Sequence, residues 1–252
     1  MNILEVKDLH VSFKEEKQNV FDKQQTIDVL KGINFSMCEG ETVGLVGESG
    51  CGKSTLAKSI LGLVKPTKGE VIHFDKYPQM IFQDPKASLN PMKTVEFILE
   101  EPLKNLTKCS REQRKQKALQ MIEEVGLSND YLERYPDELS GGQRQRICIA
   151  QSLMLEPKLL IADEPVSALD VTIQAQVLAL LEQIQQKKSL SILFISHDLR
   201  VVYQLCDRVM VMRDGVIVEM GTRDEVYRNP KHEYTKSLLK SAGIISACTQ
   251  LT

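Results

Sequence analysis

The sequence predicts an α/β fold built on a mainly parallel sheet, with an antiparallel β region at its start and a helical segment inserted in the middle. Three observations carry that reading. Compact apolar runs at 42–46, 159–162 and 190–195 alternate with helical stretches, as strands of a parallel sheet do. The opening residues carry short strand patterns instead. From about 84 to 135 the composition turns helical and highly charged.

Taken in order, residues 3–6, 9–13 and 33–37 are the strand candidates of the opening region, and the polar stretch 14–28 reads as a surface loop. The strand at 42–46 runs into a glycine-rich turn and then a helix over 53–63, punctuated by Gly62 and Pro66. Ser110 and Gln113 make a capping box before a helix that ends near Gly126. Leu139-Ser140-Gly141-Gly142-Gln143 opens a further helix, which Ser140 is placed to cap and Pro157 closes. A buried strand at 159–162, a helix over 171–187 and a buried strand at 190–195 follow. Runs 208–212 and 216–220 flank Asp214-Gly215, a strong hairpin signal. Beyond Thr222 the chain reads as two short helices separated by Pro230, and no internal repeat is evident. The expected organisation is a discontinuous α/β core over about 1–83 and 136–222, a helical subdomain over about 84–135 and a helical tail over about 223–252.

Composition narrows the function classes. The 252 residues are 42% hydrophobic and 26% charged, ordinary for a soluble globular protein. A formal net charge of -2 gives no general pull toward nucleic acid or anionic lipid, so a phosphate ligand needs a local site. No apolar run approaches the roughly 20 residues that span a bilayer, and Met1-Asn2-Ile3-Leu4-Glu5 lacks the features of a signal peptide, so cytoplasmic residence is expected. Cys38, Cys51, Cys109, Cys148, Cys206 and Cys248 are scattered and read as reduced, mostly buried thiols. The histidines are equally dispersed.

Gly47-Glu48-Ser49-Gly50-Cys51-Gly52-Lys53-Ser54 fits the phosphate-loop pattern G-x-x-x-x-G-K-[ST], in its proper place between a strand and a helix. The glycines let backbone N–H groups close on phosphate oxygens, and the helix adds its positive end. Lys53 supplies a charge to the β- and γ-phosphates of a nucleotide, Ser54 a hydroxyl for Mg2+. A mere glycine turn is the bland alternative. Cys51, beside Lys53 and a helix N-terminus, is expected to have a lowered thiol pKa and to label with maleimide unless ATP protects it. Leu159-Leu160-Ile161-Ala162-Asp163-Glu164 is an apolar strand ending in two carboxylates. A parallel strand delivers such residues to the ligand edge of the sheet, where Asp163 serves the Mg2+ shell and Glu164 acts as general base on the attacking water. Alone, a strand ending in acids need only be meeting solvent. Ser140-Gly141-Gly142 offers a second anion-binding helix end, which makes sense if it meets the nucleotide of another subunit.

Together these motifs resemble the ATP-binding cassette family, over nearly the whole chain. Leu139 to Gln143 matches that family's signature sequence, Gln83 its glutamine switch, Ser167-Ala168-Leu169-Asp170 its dimer-facing loop and His197 its switch histidine. The resemblance implies a P-loop NTPase core that hydrolyses ATP with Mg2+. Lys53, Gln83, Glu164 and His197 are then the catalytic set, and Ser54, Gln83 and Asp163 hold the metal, partly through water. Gly47, Ser49, Gly50, Cys51, Gly52, Lys53, Ser54 and Thr55 bind the nucleotide in cis, while Ser140, Gly141, Gly142, Gln143 and Asp170 approach it in trans from a second ATPase subunit joined head to tail. Phe13 is the candidate for stacking on adenine, against ordinary core packing of a strand aromatic. Without the family context, His197 after an apolar strand is more often structural, and Gln83 says nothing.

Within the family, Met80-Ile81-Phe82-Gln83-Asp84-Pro85-Lys86-Ala87-Ser88-Leu89-Asn90-Pro91 resembles the peptide and nickel importer branch. So does Asn229-Pro230-Lys231-His232-Glu233-Tyr234-Thr235-Lys236-Ser237-Leu238-Leu239, with Glu233 where the branch has proline. Such a subunit is expected on the cytoplasmic face of the membrane, with two permeases, an extracytoplasmic solute-binding protein and no nucleic acid as partners. The stretch 69–79 and the tail after Tyr234 are short for the branch, and peptide and nickel stay equally open as cargo. The rival readings are a cassette ATPase of DNA repair, a ribosome-associated cassette protein and a module that binds ATP without hydrolysis. No sustained heptad run, no basic excess and no second cassette support the first two, and Glu164 and His197 speak against the third.

Overall fold

The computed structural model describes residues 1–14 and 26–244. Most of the stretch read as a loop, and the end of the expected tail with Cys248, lie outside the described residues. In chain order the elements are β1 (Asn2–Lys14), β2 (Thr26–Cys38), β3 (Thr42–Val46), α1 (Lys53–Ile60), β4 (Lys68–His73), β5 (Gln79–Ile81), α2 (Pro85–Ser88) and α3 (Val95–Leu106). Next come α4 (Arg111–Glu124), 3-10 turns at Asn129–Glu133 and Pro136–Glu138, α5 (Gly141–Leu153), β6 (Leu159–Asp163), α6 (Val171–Lys188) and β7 (Ser191–Ile195). The last are α7 (Leu199–Leu205), β8 (Arg208–Arg213), β9 (Val216–Thr222), α8 (Arg223–Arg228) and α9 (Glu233–Ser241). Two compact units form, Met1–Phe74 with Leu193–Thr252, and Asp75–Ile192.

In the first unit an antiparallel sheet has the order β2-β1-β4. The expected strands 3–6 and 9–13 are one strand. Val6 pairs with Phe35 and Leu9 with Ile33, and the register slips between them. That bulge contains Asp8 at φ 44 and moves the buried positions from Leu4 and Val6 to Leu9 and Val11. A change of parity along one strand thus imitates two strands in the sequence. β2 begins at Thr26, inside the segment expected to be loop, because Lys14 and Thr26 already pair across the ladder. β4 escaped the sequence reading as well. Its residues are exposed or half-buried, and its pairing, Val6 with Val71, is set by β1 rather than by its own pattern.

The same unit holds β3, buried at every position and parallel to β8, and β8 turns into antiparallel β9. The turn residues Asp214 (φ 50) and Gly215 (φ 84) are both left-handed, the type I′ geometry that matches strand twist. α1 is shorter than expected. Gly62, left-handed at φ 71, closes it while its N–H donates to the Ser59 carbonyl. The tail forms α8 and α9, on either side of Pro230 as expected.

In the second unit β5 and β6 are parallel, with Gln79 opposite Leu160 and Ile81 opposite Ala162. The Asp75 carboxylate accepts from the Lys158 and Leu159 N–H groups at 2.9 and 3.0 Å, tying down the start of β6. α3 buries Val95, Ile98, Leu99 and Leu103, a single helical face. α4 carries the expected Ser110–Gln113 capping box and buries Ala118, Met121 and Ile122. Among the described residues no helix is long and apolar enough to cross a membrane.

Gly44 of β3 lies under α7. A Cβ there would sit 2.5 Å from Val202 Cγ1 and 3.0 Å from Cys206 Sγ. Gly44→Val is therefore expected to lower stability to urea by about 2 kcal/mol or more. Equal midpoints for the two proteins would show that α7 gives way at no cost.

Candidate functional site

The first unit carries the phosphate loop. Strand β3 ends at Val46, and the chain turns through Gly47 (φ 154), Gly50 (φ 82) and Gly52 (φ 108) before α1 begins at Lys53. Gly47 is there for want of space, since a Cβ would lie 2.2 Å from the Met212 carbonyl oxygen. By contrast, nothing lies within 4 Å of the Cβ position of Gly50, so the crest of the loop is open. Lys53 is only 7% exposed. Its ammonium donates to the Gly47 and Glu48 carbonyls, both at 2.8 Å, so the loop is curled around the charge. Glu48, Ser49 and Gly50 are exposed, whereas Ser54 and Thr55 are half-buried in the first turn of α1. Glycine cradle, buried cation and helix end together fit a nucleotide polyphosphate.

His197 joins this group through the sheet. The N–H of Ser196, just beyond β7, donates to the Leu45 carbonyl of β3 at 3.3 Å. Ser196 Oγ accepts from the Asp198 N–H at 3.0 Å, and Asp198 caps α7 through the Arg200 N–H. His197 is thus exposed in a tight turn on the β3 edge that carries Gly47. Phe13 is 45% exposed, which removes the core-packing alternative. It pairs with Ile27 near the end of β1, two residues beyond Val11, whose partner Leu30 borders Gly52.

In the second unit, register brings Gln83 to Glu164. Ile81 faces Ala162 in the parallel pair, so the residues two positions further on lie side by side. Gln83 Nε2 accordingly donates to Glu164 Oε2 at 3.0 Å. Asp163 is 4% exposed, and Glu164 has a left-handed backbone at φ 47, which a residue with a side chain adopts only under constraint. The constraint is visible in the next turn. Ser167 Oγ donates to the Glu164 carbonyl at 3.1 Å, and Gln174 Nε2 donates to the Val166 and Leu169 carbonyls at 2.9 and 3.0 Å. Gln174 was missed from the sequence. The available signal was its place four residues beyond Asp170, where a helical side chain reaches back over the preceding loop.

A further cluster joins the start of α5 to the start of α6. Ser140 caps α5 with Gln143 in a reciprocal box, and Gln143 Nε2 also donates to the Tyr131 hydroxyl at 2.8 Å. Both ends of the Gln143 amide are therefore engaged within its own chain. The Asp170 carboxylate accepts from the Ile173 N–H at 3.0 Å and caps α6. Ile173 packs on Gly142, where a Cβ would lie 2.5 Å from its Cγ2, and Gly141 stays exposed. So the residues expected to act in trans gather in one place, and Gly142 is there for close helix packing.

The expectation for Cys51 is overturned. Burial pushes its thiol above the usual value, although the nearby Lys53 ammonium pulls the other way. Burial wins because the side chain is covered by the curled loop, leaving the residue 8% exposed. Cys148 and Cys206 are also buried, and burial raises the Cys148 thiol to about 12, whereas Cys38 is exposed and Cys109 intermediate. At pH 7 maleimide should therefore label exposed Cys38 at least about tenfold faster than Cys51. Peptide mass spectrometry over a labelling time course decides this, and Cys51 reacting first would refute it.

Comparison with known proteins places this geometry. The sequence profile described as ABC transporter matches residues 30–167. The oligopeptide transport ATP-binding protein OppF of Salmonella typhimurium is 50% identical, over 96% of this chain and 78% of the relative. The dipeptide transport ATP-binding protein DppF of Escherichia coli is 47% identical, over 89% of this chain and 72% of the relative. Among solved structures, the dimeric post-hydrolysis state of the ATP-binding cassette MJ0796 bound to ADP and Pi superposes with a TM-score of 0.75 at 28% identity, covering 87% of this chain and 98% of that one. The cbiO1 subunit of Clostridium perfringens, part of the ABC transporter complex cbiONQ, gives 0.77 at 26% identity, covering 99% of each chain. The matched residues include the phosphate loop and the carboxylates of Asp163 and Glu164 at the end of β6, and so the chain belongs to the ABC transporter family as one of its ATPase subunits.

Proposed function

We propose that this chain powers import of oligopeptides or dipeptides across the cytoplasmic membrane, working at its cytoplasmic face with a second ATPase subunit, two permeases and, indirectly, an extracytoplasmic solute-binding protein. The cargo half of the reading is supported by the relatives, whose names are those of oligopeptide and dipeptide transport ATP-binding proteins. The paired arrangement is supported by the likeness to the dimeric MJ0796 cassette.

For the chemistry, the observation that carries the reading is the Gln83–Glu164 hydrogen bond at the ends of parallel β5 and β6. A carboxylate aimed by an amide is suited to take a proton from water as that water attacks phosphorus. Lys53 and the loop N–H groups hold the β- and γ-phosphates. Phe13, on its exposed strand end, stacks on adenine, and His197 meets the γ-phosphate. Ser54 in the first unit, and Asp163 and Gln83 in the second, are the residues that would hold Mg2+, which would neutralise charge on the phosphate oxygens. Gly141 and the Ser140 hydroxyl, at the capped start of α5, contact the nucleotide of the partner subunit, with Asp170 and Gln143 fixing that surface. ATP then favours the closed dimer because its contacts to the second subunit exist only there.

Glu164→Gln should lower ATP turnover by about 100-fold or more while ATP binding persists. Native turnover in that variant would remove the base assignment. In cells, Lys53→Ala should abolish uptake of a labelled tripeptide and leave nickel uptake intact, and loss of nickel uptake instead would transfer the cargo to metal.

A further inference from the structure

The segment 229–239, which marks the importer branch in the sequence, has no part in the chemistry above. Its Tyr234 nevertheless reaches the phosphate loop. The Tyr234 hydroxyl accepts from the Glu48 N–H at 3.1 Å, across 186 positions of sequence. Glu48 N–H and the Gly47 carbonyl belong to a single peptide group, and that carbonyl accepts from Lys53 at 2.8 Å. There is no cis peptide bond among the described residues, so this planar group points its N–H and its carbonyl in opposite directions. Tyr234 holds one end of it and Lys53 the other.

The arrangement matters because the peptide follows a glycine, Gly47, which resists rotation about its own backbone less than a residue with a side chain does. Were the peptide to flip, the Gly47 carbonyl would leave Lys53 and a buried ammonium would lose one of its two carbonyl partners. Tyr234 is itself fixed. It is buried at the start of α9, the Arg213 guanidinium lies 4.8 Å over its ring, and His232 Nδ1 accepts from its N–H at 3.1 Å. The Glu219 carboxylate on β9 in turn accepts from the Lys231 and His232 N–H groups at 2.7 and 3.0 Å. A chain of contacts therefore runs from the β8–β9 hairpin through α9 into the loop.

We infer that Tyr234 is a positioning residue for nucleotide binding, which locks the Gly47–Glu48 peptide so that Lys53 stays aimed at the phosphates. The inference rests on the ATP reading of the loop. Tyr234 touches no reacting atom, so its loss weakens ATP binding and spares the hydrolytic step.

The test compares full-length wild type, Tyr234→Phe and Tyr227→Phe. Tyr227 donates a buried hydroxyl to the Leu199 carbonyl at 2.6 Å in the same unit and serves as the control for simple loss of stability. In Tyr234→Phe, hydrogen exchange at the Glu48 amide and the Kd for a fluorescent ATP analogue should each rise about tenfold, with hydrolysis at saturating ATP within about twofold of wild type. Tyr227→Phe should lower the melting temperature and change none of the three. An unchanged Glu48 exchange rate in Tyr234→Phe overturns the tether whatever the wild type binds. Equal loss of affinity in both variants also overturns the proposal. A wild type that fails to bind the analogue overturns the ATP reading and the affinity half of the inference, and the exchange result still decides the tether.

Discussion

A buried ammonium must have acceptors, because an unpaired charge removed from water costs several kcal/mol or more. Lys53 satisfies that demand with two carbonyls of its own loop. Much of the first unit is arranged around the consequence. Carbonyls can turn inward only if the loop curls tightly, and it curls against the Met212 carbonyl, where no side chain fits at Gly47. The floor of the loop is closed by Met212 of β8 and the Asp214-Gly215 turn, with the Gly215 N–H donating to the Cys51 carbonyl at 3.1 Å. The same enclosure that holds Lys53 removes Cys51 from water and so raises its thiol.

In the second unit, residues proposed to meet the nucleotide of a partner subunit also serve the fold. Ser140 and Asp170 cap helices, and Gln143 closes a capping box while binding Tyr131. Replacing a helix cap costs about 1 kcal/mol by itself. Alanine substitutions at these positions therefore mix stability with function, and a change of activity there has to be read against a melting curve. Glu164 stands apart. Its left-handed backbone is held by Ser167 and by the turn that Gln174 pins, so the candidate base is placed by the residues that follow it in the chain.

The likeness to cbiO1 covers 99% of each chain at 26% identity, so the fold persists where most side chains differ. Cargo is a different matter. The residues proposed above for phosphate and water have no chemistry that distinguishes a peptide from a metal. The proposed peptide cargo rests on relatives at 46–50% identity, which are named as oligopeptide and dipeptide transport ATP-binding proteins.

What the sequence determined by itself was everything with a local cause. The phosphate loop, the buried strands β3 and β6, the capping boxes at Ser110 and Ser140 and the Asp214-Gly215 turn are written in neighbouring residues, and each formed where those residues placed it. Tertiary structure decided what depends on distant partners. The bulge at Asp8 joined two expected strands into one, pairing with β1 made β4, and pairing with β6 made a strand of Gln79–Ile81. Burial reversed the expected shift of Cys51, and Gln174 and Tyr234 made hydrogen bonds that the sequence did not foretell. The physical reason is the same in each case. Propensity, capping and turn geometry act over a few residues, whereas pairing register, desolvation and long-range hydrogen bonds exist only after the chain has brought remote segments together.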